Sequence, residues 1–204
     1  MGTPDFAVAP LDKLFQAGSN VVAVITAPDR PAGRGKKIRY SAIKQYMLQN
    51  KPDIPLLQPT NLKDPEFVEE LSSLAPDLQI VVAFRMLPEL VWRIPESGTF
   101  NLHASLLPQY RGAAPINHVL INGEAETGVT TFMIDDKIDT GNILLQQNLG
   151  IDPQETAGEL HDRLMDAGAN LVMQTVEGIA SGSLQARSQD SLIKIAGELK
   201  KAPK

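Results

Sequence analysis

Thr99-Phe100-Asn101-Leu102-His103 reads as a β-strand, with apolar Phe100 and Leu102 alternating with polar Asn101 and His103. Positions i and i+2 of a strand face the same way, so Asn101 and His103 project together. The segments around this strand alternate in kind. Upstream lie an apolar strand at Gln79–Phe84 and a short helix at Pro88–Arg93. Downstream come a helix near Ala113–Asn122 and strands at Gly128–Ile134 and Ile143–Ile151. Thr156–Gly178 is an amphipathic helix, with Leu160, Leu164, Leu171, Val172 and Ile179 at helical spacing. Nearer the N-terminus, Val21–Thr26 is a β-branched run, Ser41–Lys51 looks helical, and Asp64-Pro65 has the form of an N-cap followed by proline at the first helical position. This alternation predicts an α/β fold with a largely parallel sheet. Ligands of such sheets collect at the carboxyl ends of strands, which is where Asn101 and His103 fall.

The 204 residues suffice for one sizeable core or for a domain with an appendage. No apolar run reaches the roughly 18 residues that cross a bilayer, and no basic-then-apolar leader opens the chain. A cytoplasmic protein without membrane contact is expected. There is no cysteine, which removes disulfides, thiolate nucleophiles and thiolate metal ligands. His103, His118 and His161 are far apart and lack metal-ligand spacing, so no metal is expected. The net charge of −5 is unevenly spread. Residues 29–51 hold Arg30, Arg34, Lys36, Lys37, Arg39, Lys44 and Lys51 against Asp29 alone, a net +6, and the remaining residues carry −11. A local polyanion contact fits this pattern; so does a solvated loop.

An amide, an imidazole and a carboxylate can support acyl transfer without a covalent intermediate. An amine attacking a formyl carbonyl builds an oxyanion, which a side-chain NH2 stabilises. A histidine moves the proton, and a carboxylate orients the imidazole. Asn101, His103 and the Asp139 of Asp139-Thr140-Gly141 offer this set. From spacing alone, Asn101 and His103 read more readily as polar residues at a strand end. Ser105 lacks the G-x-S-x-G context of a nucleophile; Ser105-Leu106-Leu107-Pro108 reads better as a pocket wall. Asp135 and Asp136 suit a tight turn, where aspartates bond their own backbone.

Phe100–Ile116, Glu126–Thr130 and Asp139-Thr140-Gly141, together with Met1–Val8 and Pro28–Lys37, closely resemble the methionyl-tRNA formyltransferase family over nearly the whole chain. The resemblance implies a Rossmann-like, doubly wound formyltransferase fold. It also implies transfer of a formyl group from 10-formyltetrahydrofolate to the α-amine of methionyl initiator tRNA, with Asn101 polarising the formyl oxygen, His103 handling protons and Asp139 orienting His103. Ser105, Leu106, Leu107 and Pro108, with Met86 and Leu87, would line the folate site. Arg30, Arg34, Lys36 and Lys37 would reach the tRNA acceptor end. Residues 1–182 are then the catalytic domain, and 183–204 a linker toward a C-terminal tRNA-binding β-barrel absent from the chain. The family opens with a strand before Met1-Gly2-Thr3-Pro4, and Arg85 stands where many members have glycine. A monomer is expected. The rivals are a formyl-folate enzyme acting on a glycinamide ribonucleotide or an amino sugar, and a non-catalytic RNA-binding α/β module.

Overall fold

The structure is a computed structural model, and it describes residues 1–32, 37–196 and 198–203. The chain divides into two units, Met1–Thr99 and Phe100–Lys204.

In the first unit a short 3-10 turn, Asp5–Ala7, leads into α1 (Val8–Gln16). There follow β1 (Val24–Ile25), β2 (Arg30–Ala32), β3 (Lys37–Arg39), α2 (Ala42–Asn50), β4 (Leu56–Leu57), α3 (Pro65–Ser73), β5 (Gln79–Val82) and α4 (Glu89–Trp92). The helix starts obey local chemistry. Ser41 caps α2 by accepting from the Lys44 N–H, and Asp64 caps α3 by accepting from the Glu66 N–H, with Pro65 in the first turn. β1 and β4 pair in parallel, Val24 with Leu56 and Ile25 with Leu57. Met1 and Gly2 lie between β1 and β5: the Gly2 N–H donates to Ile25 O, the Val82 N–H donates to Met1 O, and Gly2 bridges Val82 in parallel. Ile25, Ile43, Met47, Phe67, Leu71 and Val82 form the buried interior of this unit.

The second unit carries β6 (Thr99–His103), β7 (Arg111–Gly112), α5 (Pro115–Ile121), β8 (Glu126–Met133), β9 (Ile143–Gly150), α6 (Ala157–Ala180), α7 (Gln189–Ala196) and β10 (Lys201–Ala202). The expected α/β architecture is observed, with ladders of both senses. β8 runs antiparallel to both β6 and β9; the short connection 134–142 permits only a hairpin between β8 and β9. α6 opens on a capping box between Thr156 and Glu159, and buries Leu160, Leu164, Leu171 and Val172.

Within residues 183–203, α7 and β10 are ordered elements. Leu192 of α7 packs against buried Leu107, Phe132 and Ile143. β10 pairs in parallel with β7, Lys201 with Arg111 and Ala202 with Gly112. β10 is too short to leave a period in the sequence. The β2–β3 hairpin, Arg30 opposite Arg39 and Pro31 opposite Ile38, is equally silent, since its residues are charged or turn-forming. Among the described residues no helix is long and apolar enough to cross a membrane.

Candidate active site

The antiparallel register sets Asn101 opposite Phe132 and His103 opposite Thr130. Both polar side chains therefore share one strand face, as their spacing predicts. His103 is only 6% exposed. Its Nε2 lies 2.8 Å from Tyr110 O, and a carbonyl only accepts, so Nε2 carries the hydrogen. The Nδ1 lone pair then faces Asp139, with Oδ2 at 3.8 Å. That distance is outside hydrogen-bond length and inside ion-pair range. The Phe132 ring stands edge-on to the imidazole, centroids 6.4 Å apart.

Asp139 has φ 55°, the left-handed region, which aspartate tolerates better than most residues. Its Oδ2 accepts the Gly112 N–H at 2.8 Å. Two glycines make this approach possible. A Cβ at Gly141 would lie 1.7 Å from Met133 O, and one at Gly112, where φ is 126°, would lie 2.2 Å from Ala202 O. Tyr110, at φ 60°, adds a third left-handed backbone to the same short region. For the non-glycine Asp139 and Tyr110 such conformations cost on the order of 1–3 kcal/mol each and persist where the surroundings over-determine them. Asp135 takes the turn role expected of it: its carboxylate accepts from the Lys137 N–H and the Thr140 hydroxyl.

Asn101 Oδ1 is buried and has no hydrogen-bond partner. An orphaned buried acceptor costs about 1–3 kcal/mol, which a ligand N–H would recover.

The stretch after His103 is pinned to the sheet. The Thr130 hydroxyl donates to Ser105 O and accepts from the Leu107 N–H, and Gln146 Nε2 donates to Leu107 O. The Ser105 hydroxyl is committed to Gln109 O at 2.7 Å, so it is no free nucleophile. Leu107 and Pro108 are buried, while Leu106 is half-buried and lines a pocket of about 300 Å³ together with Gln109, Tyr110, Glu124, Thr127 and Lys200. On its rim Glu124 accepts from both the Tyr110 hydroxyl and the Lys200 ammonium. The bonds from Lys200 and Tyr110 hold the Glu124 carboxyl below its usual range. Burial and the same Glu124 push the Tyr110 phenol up, and Glu124 raises Lys200.

The remaining expected site residues belong to the first unit. Leu87 is buried and Met86 is exposed. Arg85 donates to Pro59 O and Thr60 O, and its Nε is buried without a partner. Burial first, and then the charge of Arg30, draws its pKa down. Arg30 is exposed at the start of β2, and Lys37 opens β3; Arg34 and Lys36 lie outside the described residues. Lys44 is not a free cation, since it pairs with Asp29.

Four residues given no role by sequence reasoning shape the site: Tyr110, Arg111, Gly112 and Gln189. Gly112 had a local signal, a glycine after a polar pair. The others act through backbone carbonyls or across long sequence separations, and spacing does not reveal such contacts.

The family model described as Formyl transferase matches residues 1–176. The methionyl-tRNA formyltransferase of Flavobacterium johnsoniae is 59% identical over 190 residues, covering 93% of this chain and 60% of that protein. The enzyme of the same name from Bacteroides fragilis is 55% identical over 204 residues, covering 100% of this chain and 62% of that protein. The chain thus spans about six-tenths of the length of these curated relatives. Among solved structures, an N-formyltransferase from Helicobacter canadensis in complex with folinic acid and dTDP-3-aminofucose has a TM-score of 0.69 at 22% identity, covering 98% of this chain and 68% of that one.

Proposed function

The chain belongs to the formyl transferase family, and from that premise we propose that it transfers a formyl group from 10-formyltetrahydrofolate to the α-amine of methionyl initiator tRNA. The narrower choice of acceptor rests on relatives of that name at 59% and 55% identity and on the net positive charge of residues 29–51.

The observation that carries the chemistry is the pairing of an anchored imidazole with an orphaned amide. The amine nitrogen attacks the formyl carbon, and the carbonyl oxygen becomes an oxyanion. The Asn101 NH2 donates to that oxyanion, while its unpartnered Oδ1 accepts an N–H of the attacking amine and aims the amine lone pair. Nε2 of His103 is held by Tyr110 O, so Nδ1 takes the proton that the amine sheds. The new N–H faces the Asp139 carboxylate, which stabilises the imidazolium. That proton then passes to N10 of the folate as the carbon–nitrogen bond to N10 breaks. No side-chain nucleophile takes part. Ser105–Pro108 form a wall for the folate, and Arg30, Arg34, Lys36 and Lys37 contact the tRNA acceptor end through its phosphates. The same reading makes the protein a cytoplasmic monomer acting at translation initiation.

The test supplies the protein with labelled 10-formyltetrahydrofolate, methionyl initiator tRNA and glycinamide ribonucleotide as competing acceptor. Label on the methionyl-tRNA is expected. Label on the ribonucleotide alone, or on neither, overturns the reading.

A further inference from the structure

We propose that Gln189 is a positioning residue for Asp139. The proposal rests on the formyl-transfer reading for its kinetic consequence, and on geometry alone for its structural one.

A side-chain amide has two N–H donors and two acceptor lone pairs, and Gln189 spends all four. Nε2 donates to Asp139 O at 3.0 Å and to Gly141 O at 2.8 Å. Oε1 accepts from Arg111 Nε at 3.1 Å and from Arg111 Nη2 at 2.6 Å. Gln189 is 2% exposed, so these bonds meet little competition from water. They join two segments: the turn that bears the Asp139 carboxylate, and the β7 strand whose Gly112 N–H holds that carboxylate. The result is a closed ring running from the Asp139 main chain through Gln189 and Arg111 to Gly112, and back to the Asp139 side chain. Asp139 is fixed at both ends, by its own carbonyl and by its Oδ2. A left-handed aspartate needs such over-determination. Without Gln189 the turn at 139–141 has two unanswered carbonyls in a buried place, and the carboxylate loses its fixed distance from His103.

The helix that delivers Gln189 is anchored without this side chain. Ile143 and Arg187 exchange both backbone hydrogen bonds at 2.8 Å, and Leu192 packs on Leu107, Phe132 and Ile143. The amide can therefore be altered while α7 stays docked. Chemistry also favours an amide over its acid here. A carboxylate at 189 keeps the Arg111 partner, yet it turns its second oxygen toward the carbonyls of Asp139 and Gly141.

The experiment compares Gln189→Met and Gln189→Glu with the parent protein. One readout is formyl transfer, resolved into kcat and KM for both substrates. The other is backbone amide hydrogen exchange at Gly112 and Ile143. Both variants are expected to lose at least about tenfold in kcat, with KM held within about twofold. The Gly112 amide exchanges at least about tenfold faster, and the Ile143 amide, bonded to Arg187, stays slow. Gln189→Glu keeps an acceptor for Arg111, and so reports on the two lost donors if Gln189→Met folds poorly. Unchanged kcat, unchanged Gly112 exchange, or equal loss of protection at Ile143 overturns the proposal, the last because it marks a merely structural side chain. If the parent protein formylates no acceptor, the function reading falls, and the Gly112-against-Ile143 exchange pattern alone decides the role of Gln189.

Discussion

Gly112 donates its backbone N–H to Asp139 Oδ2 at 2.8 Å, so the carboxylate facing His103 is oriented by main chain. Because an amide oxygen can accept the same bond, Asp139→Asn keeps the geometry and removes only the charge. Asparagine also tolerates the left-handed backbone. We expect kcat to fall by about 10²-fold or more with an unchanged thermal midpoint. A variant that keeps parental turnover removes Asp139 from the proton relay.

Asn101→Ala separates chemistry from stability in a second way. Loss of one oxyanion donor costs about 2.7–4 kcal/mol of transition-state stabilisation, so kcat should drop by about 10²–10³-fold. The same substitution removes the buried, unpartnered Oδ1, which offsets the small volume lost. Calorimetry should therefore place the variant close to the parent. A large fall in its thermal midpoint with intact turnover would reassign Asn101 to the scaffold.

Glu124 provides the pH dependence. Its folded pKa is depressed by hydrogen bonds from Lys200 and Tyr110, so its stabilising contribution is complete above the ordinary glutamate value of about 4.3 and fades as pH falls through the lower folded value. Lys200 is raised by the same pair, and its contribution lasts until the pH climbs past its folded value, above about 10.4. Glu124→Gln should thus be less stable than the parent near neutrality, and the gap should narrow well below pH 4.3. Urea midpoints at several pH values measure it; a gap of constant size shows that the network stores no charge-dependent stability.

The basic segment calls for a salt titration. Neutralising Arg30, Lys36 and Lys37 together should weaken tRNA use and flatten the log–log dependence on salt by about two units, since each phosphate contact contributes about 0.7–0.9 to the slope. Identical slopes would leave these cations in solvent.

The sequence discloses those parts of the molecule that repeat at short range. Alternation across Thr99–His103 puts Asn101 and His103 on one face, as observed. Asp64-Pro65 and the start of the amphipathic stretch at Thr156 mark helix starts at their true positions. What stays hidden depends on distant chain segments meeting. Gln189 is an ordinary polar residue until α7 returns to the 139–141 turn. Tyr110 reaches His103 with a carbonyl, a group every residue owns. The positive φ of Asp139, two residues before Gly141 passes against Met133 O, has no sign in the aspartate itself.

The pairing of β10 with β7 also sets a clock on the protein's birth. Lys200 N–H donates to Gln109 Oε1 across 91 positions, and the Tyr110 and Ala113 amides are answered by Lys200 O and Ala202 O. On a ribosome adding roughly 5–20 residues per second, His103 and its carbonyl partner are made about 5–20 s before the strand that clamps them. The amides of Tyr110 and Ala113 wait through that interval open to water. The site therefore closes only once Lys200–Ala202 have been made.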